Sequence, residues 1–109
     1  MTNQPEVSVA QALEWLKQRS EPFVEVFQRG SLSIELYKPQ GVDRQKPHDR
    51  DEVYVIISGT GVFLNHGRRW DFHPGDVLFV PAGVEHRFVE FTADFSTWVI
   101  FCGPEGGSQ

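Results

Sequence analysis

The chain has 109 residues, 39% of them apolar, with nine Phe, three Trp and two Tyr. That is the size of one domain, with enough apolar volume for one packed core. Ten basic side chains against 15 acidic ones give a formal charge of −5, and the only adjacent basic pair, Arg68-Arg69, makes no stripe for phosphate, so no nucleic-acid partner is expected. No apolar run approaches the ~20 residues that span a bilayer, no basic-then-apolar leader opens the sequence, and the lone Cys102 has no internal disulfide partner. A cytoplasmic protein away from membranes, held together by packing, is the expectation.

Residues 1–21 read as a lead-in with one helix over residues 8–19. Ser8 is its N-cap, with Gln11 three residues on, and Val9, Ala12, Leu13 and Leu16 recur at helical spacing before Pro22. Everything after that has the signature of strands. Residues 23–28 and 32–38 form a hairpin about Arg29-Gly30. In the second of these strands Leu32, Ile34 and Leu36 alternate with Ser33, Glu35 and Tyr37, which predicts a buried face and a wetter one. A polar stretch, residues 39–51, interrupts the apolar pattern, and long ordered loops tend to carry function.

Further strands are predicted at residues 53–58, 61–65, 68–73, 77–80, 86–91 and 96–102. The breaks between them, Ser58-Gly59-Thr60, Asn65-His66-Gly67, His73-Pro74-Gly75-Asp76 and Pro81-Ala82-Gly83, are all turn chemistry. Eight short strands at this spacing predict a sandwich or small barrel rather than a parallel α/β sheet. The barrel spans residues 22–102, and residues 103–109 read as a flexible tail.

Chemistry concentrates in two segments, residues 41–59 (GVDRQKPHDRDEVYVIISG) and residues 75–90 (GDVLFVPAGVEHRFVE). On extended chain His48 and Glu52, four apart, share a face with Tyr54 and Ile56. His86 opens another strand directly after the Pro81-Ala82-Gly83 turn, with Phe88 and Glu90 on its face. Two imidazoles and a carboxylate brought together in a barrel mouth form a set suited to a divalent metal, and with open positions it is the arrangement of non-haem iron oxygenases. His66 and His73 sit in turns and read as exposed side chains, Asp76 and Glu85 as turn or surface carboxylates, and Cys102 as a small buried residue. Gly41, Gly59, Gly75 and Gly83 read as turn glycines rather than a phosphate cradle.

The two segments together resemble the cupin family. The first is similar to that family's opening motif, two histidines one residue apart followed by a glutamate and then a glycine. The second matches the closing motif of glycine, five residues, proline, one residue, glycine, two residues, histidine. The resemblance covers residues 23–102. It implies an all-β double-stranded β-helix, or jelly-roll barrel, preceded by the one helix. It also implies a divalent metal on His48, Glu52 and His86: iron for an oxygenase, with zinc, manganese and nickel as alternatives.

One position departs from the pattern, because Lys46 stands where the first histidine is expected. Either three ligands hold the metal with Lys46 turned outward, or Lys46 pairs with Glu52 in a pocket without metal. The closing motif commonly ends in asparagine, where this chain has Glu90. The activity implied is that of a dioxygenase-type oxidoreductase on a small organic substrate, with Tyr54 and Glu90 as catalytic candidates for proton transfer. A non-catalytic ligand-binding or sensing barrel and a metal-dependent isomerase or cyclase are the alternatives. Val53, Val55 and Ile57, opposite to Glu52, Tyr54 and Ile56, make the strand apolar on both faces. Such a strand needs a cover, either another layer of the same chain or a second subunit; the resemblance implies dimers, and a homodimer is the expectation.

Overall fold

The computed structural model describes residues 5–107. Helix α1 runs over Val9–Leu16, shorter than the 8–19 expected. Ser8 caps it as predicted, its Oγ accepting from the Gln11 N–H at 3.1 Å, and the chain past Leu16 tightens into single turns (Gln18 N–H to Trp15 C=O, Arg19 N–H to Leu16 C=O). Eight strands follow: β1 Phe23–Arg29, β2 Leu32–Tyr37, β3 Asp51–Ser58, β4 Gly61–Asn65, β5 Arg68–Phe72, β6 Val77–Val80, β7 His86–Phe91 and β8 Ser96–Cys102. They build two antiparallel sheets, ordered β1-β2-β8-β3-β6 and β5-β4-β7. The all-β barrel with one leading helix is therefore the architecture the turn spacing and the alternation predicted.

The core lies between the sheets and is largely aromatic: Tyr37, Tyr54, Phe63, Phe72, Phe88, Phe95 and Phe101 join Ile56, Val80 and Val99. Phe88 stacks against Tyr54, Phe63, Phe72 and Phe95, with ring centroids 4.6–5.3 Å apart. Strand β3 has the two-faced character expected of it. Glu52, Tyr54 and Ile56 point inward and are buried, while Val53, Val55 and Ile57 point outward and are half-buried.

Cross-strand pairing carries the outward face into two rows, Val77–Val55–Trp98–Leu36–Val24 and Phe79–Val53–Ile100–Ile34–Phe27. The helix covers only one end of them. Ala12, Leu13 and Leu16 pack with Val24, Val26 and Leu36 over β1 and β2, leaving Val77 and Phe79 on β6 exposed.

Strand β2 keeps its apolar face packed as expected except at Leu32, and its polar face is partly buried as well. Ile34 and Leu36 do pack under the helix, but Leu32 is exposed. Ser33 and Tyr37 are buried, and the polar face Ser33-Glu35-Tyr37 lines the barrel interior. Polarity alone does not tell a solvent face from the polar wall of a cavity, because both keep water on the side chains. The segment after Cys102, expected to be loose, returns to the barrel mouth as far as it is described: the Gly106 N–H donates to the Asp49 C=O at 2.7 Å. Residues 1–4 and 108–109 lie outside the described residues.

Candidate metal centre

Three elements converge on one point. His48 lies near the end of the polar loop, Glu52 stands at the second position of β3 and His86 at the first of β7. The loop and the turn before β7 are tied directly, the Gly83 N–H donating to the His48 C=O at 2.7 Å. The Ala82 N–H donates to Asp51 Oδ1 at 2.9 Å, joining the same turn to the start of β3. These bonds bring together three side chains that are distant in sequence, as the two motifs predicted. One ligand atom from each lies within 4.8 Å of the others, and the two imidazole centroids are 5.3 Å apart.

His86 and Glu52 are fully buried, and His48 is one-third exposed. His86 Nδ1 lies 3.0 Å from the Val84 carbonyl oxygen. A carbonyl can only accept, so Nδ1 carries a proton and Nε2 faces the centre. Nε2 lies 2.7 Å from Glu52 Oε1, and His48 Nε2 lies 3.9 Å from Glu52 Oε2. Despite these approaches, His86 Nε2 and both Glu52 oxygens make no hydrogen bond of acceptable geometry.

Buried polar atoms without hydrogen bonds are rare and costly, and here they come from Glu52 on β3 and His86 on β7 and face one another, with His48 Nε2 3.9 Å from Glu52 Oε2 beside them. A cation between them would satisfy all three at once, so the residues present fit a divalent ion with two nitrogen donors and a carboxylate. Burial lowers the His48 pKa below its ordinary value, only partly offset by Glu52. Burial also acts to lower that of His86, but the Glu52 carboxylate and the Val84 carbonyl outweigh it and raise the pKa.

The structure leaves Lys46 on the outside of the loop. Lys46 is exposed, whereas Glu52 is fully buried and its partners are the two histidines. No Lys46–Glu52 ion pair forms among the described residues. Tyr54 is buried beside the trio, 6.1 Å from His86 between ring centroids.

Glu90 is not at the centre. It is exposed and pairs with Arg69 at 3.0 Å. The physical reason is a β-bulge: Phe88 pairs with Phe63 and Glu90 with Val62, leaving Val89 as an extra residue. One extra residue inverts the alternation, so Phe91 turns toward the core and Glu90 to solvent. Gly61 on β4 makes room for the bulge, since a Cβ there would sit 1.9 Å from the Glu90 carbonyl oxygen.

Sequence reasoning missed Asp43, Gln45 and the lumenal Glu35. Asp43 is 2% exposed, and its carboxylate accepts from the Tyr37 hydroxyl, the Gln45 N–H, Gln45 Nε2 and the Phe88 N–H. It thereby pins the loop to the strand that carries His86. The available signal was alternation inside the polar stretch, with Asp43 and Gln45 turned in and Arg44 and Lys46 turned out.

The model of the family described as "Cupin domain" matches residues 33–100. An uncharacterized protein from Streptomyces coelicolor is 33% identical over 85 residues, which cover 76% of this chain and 81% of that one. Acireductone dioxygenase from Rhodopseudomonas palustris is 47% identical over 45 residues, 38% of this chain but only 27% of the enzyme. Among solved structures, KdgF from a Halomonas species superposes with a TM-score of 0.68 at 20% identity, covering 81% of this chain and 86% of that one, a likeness of fold. The family match takes in more than half of the chain, both motif segments included, and this protein belongs to the cupin family.

Proposed function

We propose that this cupin is a metal-dependent oxidoreductase of the dioxygenase type, acting on a small organic molecule. The observation that carries the reading is the convergence of His48, Glu52 and His86, with the buried Glu52 oxygens and His86 Nε2 lacking hydrogen bonds and His48 opening onto a cavity of about 820 Å³. That volume is in the range of small-molecule sites. The local similarity to acireductone dioxygenases supports the oxygen chemistry.

A divalent ion on the trio, iron for this reaction, would supply Lewis acidity and redox capacity. The rest is the work of the chain. Arg19, Lys38, Arg44 and Arg50 line the cavity together with Glu25 and Glu35, offering cationic and acidic contacts to a polar substrate. Phe101 walls the cavity beside His48, with ring centroids 5.0 Å apart. Burial, with the Glu52 charge second, pushes the Tyr54 pKa well above its ordinary value. Its hydroxyl therefore keeps its proton and serves as a donor rather than a base.

The test is elemental analysis of protein purified without an affinity tag, then chelation, anaerobic reloading with ferrous iron, and oxygen-electrode assays against a panel of small organic acids, diketones and enediols. Substrate-dependent oxygen uptake that is lost in His86→Ala supports the proposal. Turnover without oxygen uptake overturns it in favour of an isomerase or cyclase, and ligand retention without turnover in favour of a binding module.

The same proposal includes a homodimer built on the outer face. Val77 and Phe79, 65% and 54% exposed, continue the half-buried Val55 and Val53 across the sheet, and an apolar face of this kind is a candidate for association. Sedimentation equilibrium is expected to show a dimer that Phe79→Glu dissociates. A monomer at high concentration would remove this part of the proposal and leave the metal centre as it is.

A further inference from the structure

The loop places an oxygen atom at the centre that the family's pattern does not assign. Gln45, one residue before Lys46, turns inward. Its backbone N–H donates to Asp43 Oδ1 at 3.0 Å and its Nε2 to Asp43 Oδ2 at 2.9 Å. A carboxylate accepts these bonds, which dictates the orientation of the amide: nitrogen toward Asp43, Oε1 toward His48 and Tyr54. The Tyr54 hydroxyl donates to Oε1 at 2.9 Å, leaving one lone pair of that carbonyl. Oε1 also lies 3.3 Å from His48 Nε2.

When His48 Nε2 is unprotonated, as a metal ligand must be, it and Oε1 are two acceptors facing one another. Two ligand atoms on one ion, each at the bond lengths of nitrogen and oxygen donors, stand about 2.8–3.6 Å apart, and this pair falls inside that interval. Asp43 holds the arrangement rigidly because it also accepts the Phe88 N–H at 2.8 Å, two residues along β7 from His86. The amide is thus braced against the strand that supplies another ligand.

We propose that Gln45, through Oε1, is the fourth protein ligand of the metal centre. It replaces the histidine expected at position 46 from one residue earlier in the loop. The ligand set becomes two imidazoles, one carboxylate and one neutral amide oxygen, and Lys46 is free to face solvent. This inference rests on the metal-centre reading of His48, Glu52 and His86.

The experiment is Co²⁺ titration of chelated, tag-free protein, following affinity and the visible d–d absorption. The proteins compared are wild type, Gln45→Ala, Tyr54→Phe and His86→Ala, with Gln45→Leu as a second variant if the alanine protein does not fold. Loss of Gln45 is expected to weaken Co²⁺ binding by at least about tenfold and to change the intensity and position of the absorption bands as solvent takes the vacated position. Tyr54→Phe, which removes only the hydroxyl bonded to Oε1, is expected to leave the bands in place. An affinity within twofold of wild type in the Gln45 variants overturns the proposal. So does weakened binding with a spectrum superimposable on wild type, since that marks a positioning role only. If His86→Ala binds Co²⁺ as well as wild type does, the metal-centre reading itself fails, and the inference with it.

Discussion

The N–H of Gly83 donates to the carbonyl of His48 at 2.7 Å, a bond between the turn that launches β7 and the loop that delivers the first histidine. Two segments whose ligands are 38 positions apart in sequence, 48 to 86, are thus registered by a backbone contact beside the centre itself. Gly83 adopts φ +79°, and a Cβ there would meet nothing within 4 Å. Backbone strain is then the only direct cost of a side chain. Gly83→Ala is expected to destabilise the protein by about 1–2 kcal/mol and to weaken metal binding by loosening the contact to His48. Thermal denaturation with and without metal measures both effects.

Lys46→Ala is expected to leave metal content unchanged and stability within about 0.5 kcal/mol of wild type, because the lysine is exposed and makes no pair with Glu52. Metal analysis and urea denaturation check this. A loss of metal in the variant would restore Lys46 to the centre.

Glu35, on the lumenal face of β2, has its pKa raised from 4.5 to about 7, by burial first and then by the nearby Glu25 and Glu52 charges, against a smaller opposing effect of Arg19. The folded protein therefore holds this proton more tightly than the unfolded chain. The contribution to stability is present in full below about pH 4.5 and is lost as pH rises through about 7. Glu35→Gln removes the charge that must be buried at high pH. In chelator-treated protein the variant is expected to melt above wild type at pH 8 and close to it at pH 4. Melting curves across pH that stay parallel for the two proteins would contradict this.

Phe88 is 1% exposed and touches four other aromatic rings. Phe88→Ala is expected to cost ~3–5 kcal/mol, the range for a buried aromatic cut back to a methyl group. Because the Phe88 N–H also anchors Asp43, relaxation of β7 into the cavity should weaken metal binding as well. Guanidinium denaturation and metal titration of the one variant report the two effects separately.

The sequence by itself determined the strands, the turns and the trio of His48, Glu52 and His86. These rest on local rules: alternation with period two, glycine at turns and the spacing of two motifs. Strand boundaries could shift by a residue or two without moving those side chains to another face, since facing depends on parity within a strand. Only the tertiary structure decided what depends on register and loop path. The Val89 bulge, which inverts parity and sends Glu90 to solvent, exists because β7 must match β4 on one side of the extra residue and on the other. The polar face of β2 became a cavity wall because the apolar face had the helix to cover it. Gln45, not Lys46, reached the centre because Asp43, held by donors from β2 and β7, fixes the course of the loop. Those donors come from residues elsewhere in the chain, and the alternation of the polar stretch alone does not say which of its two parities they will hold inward.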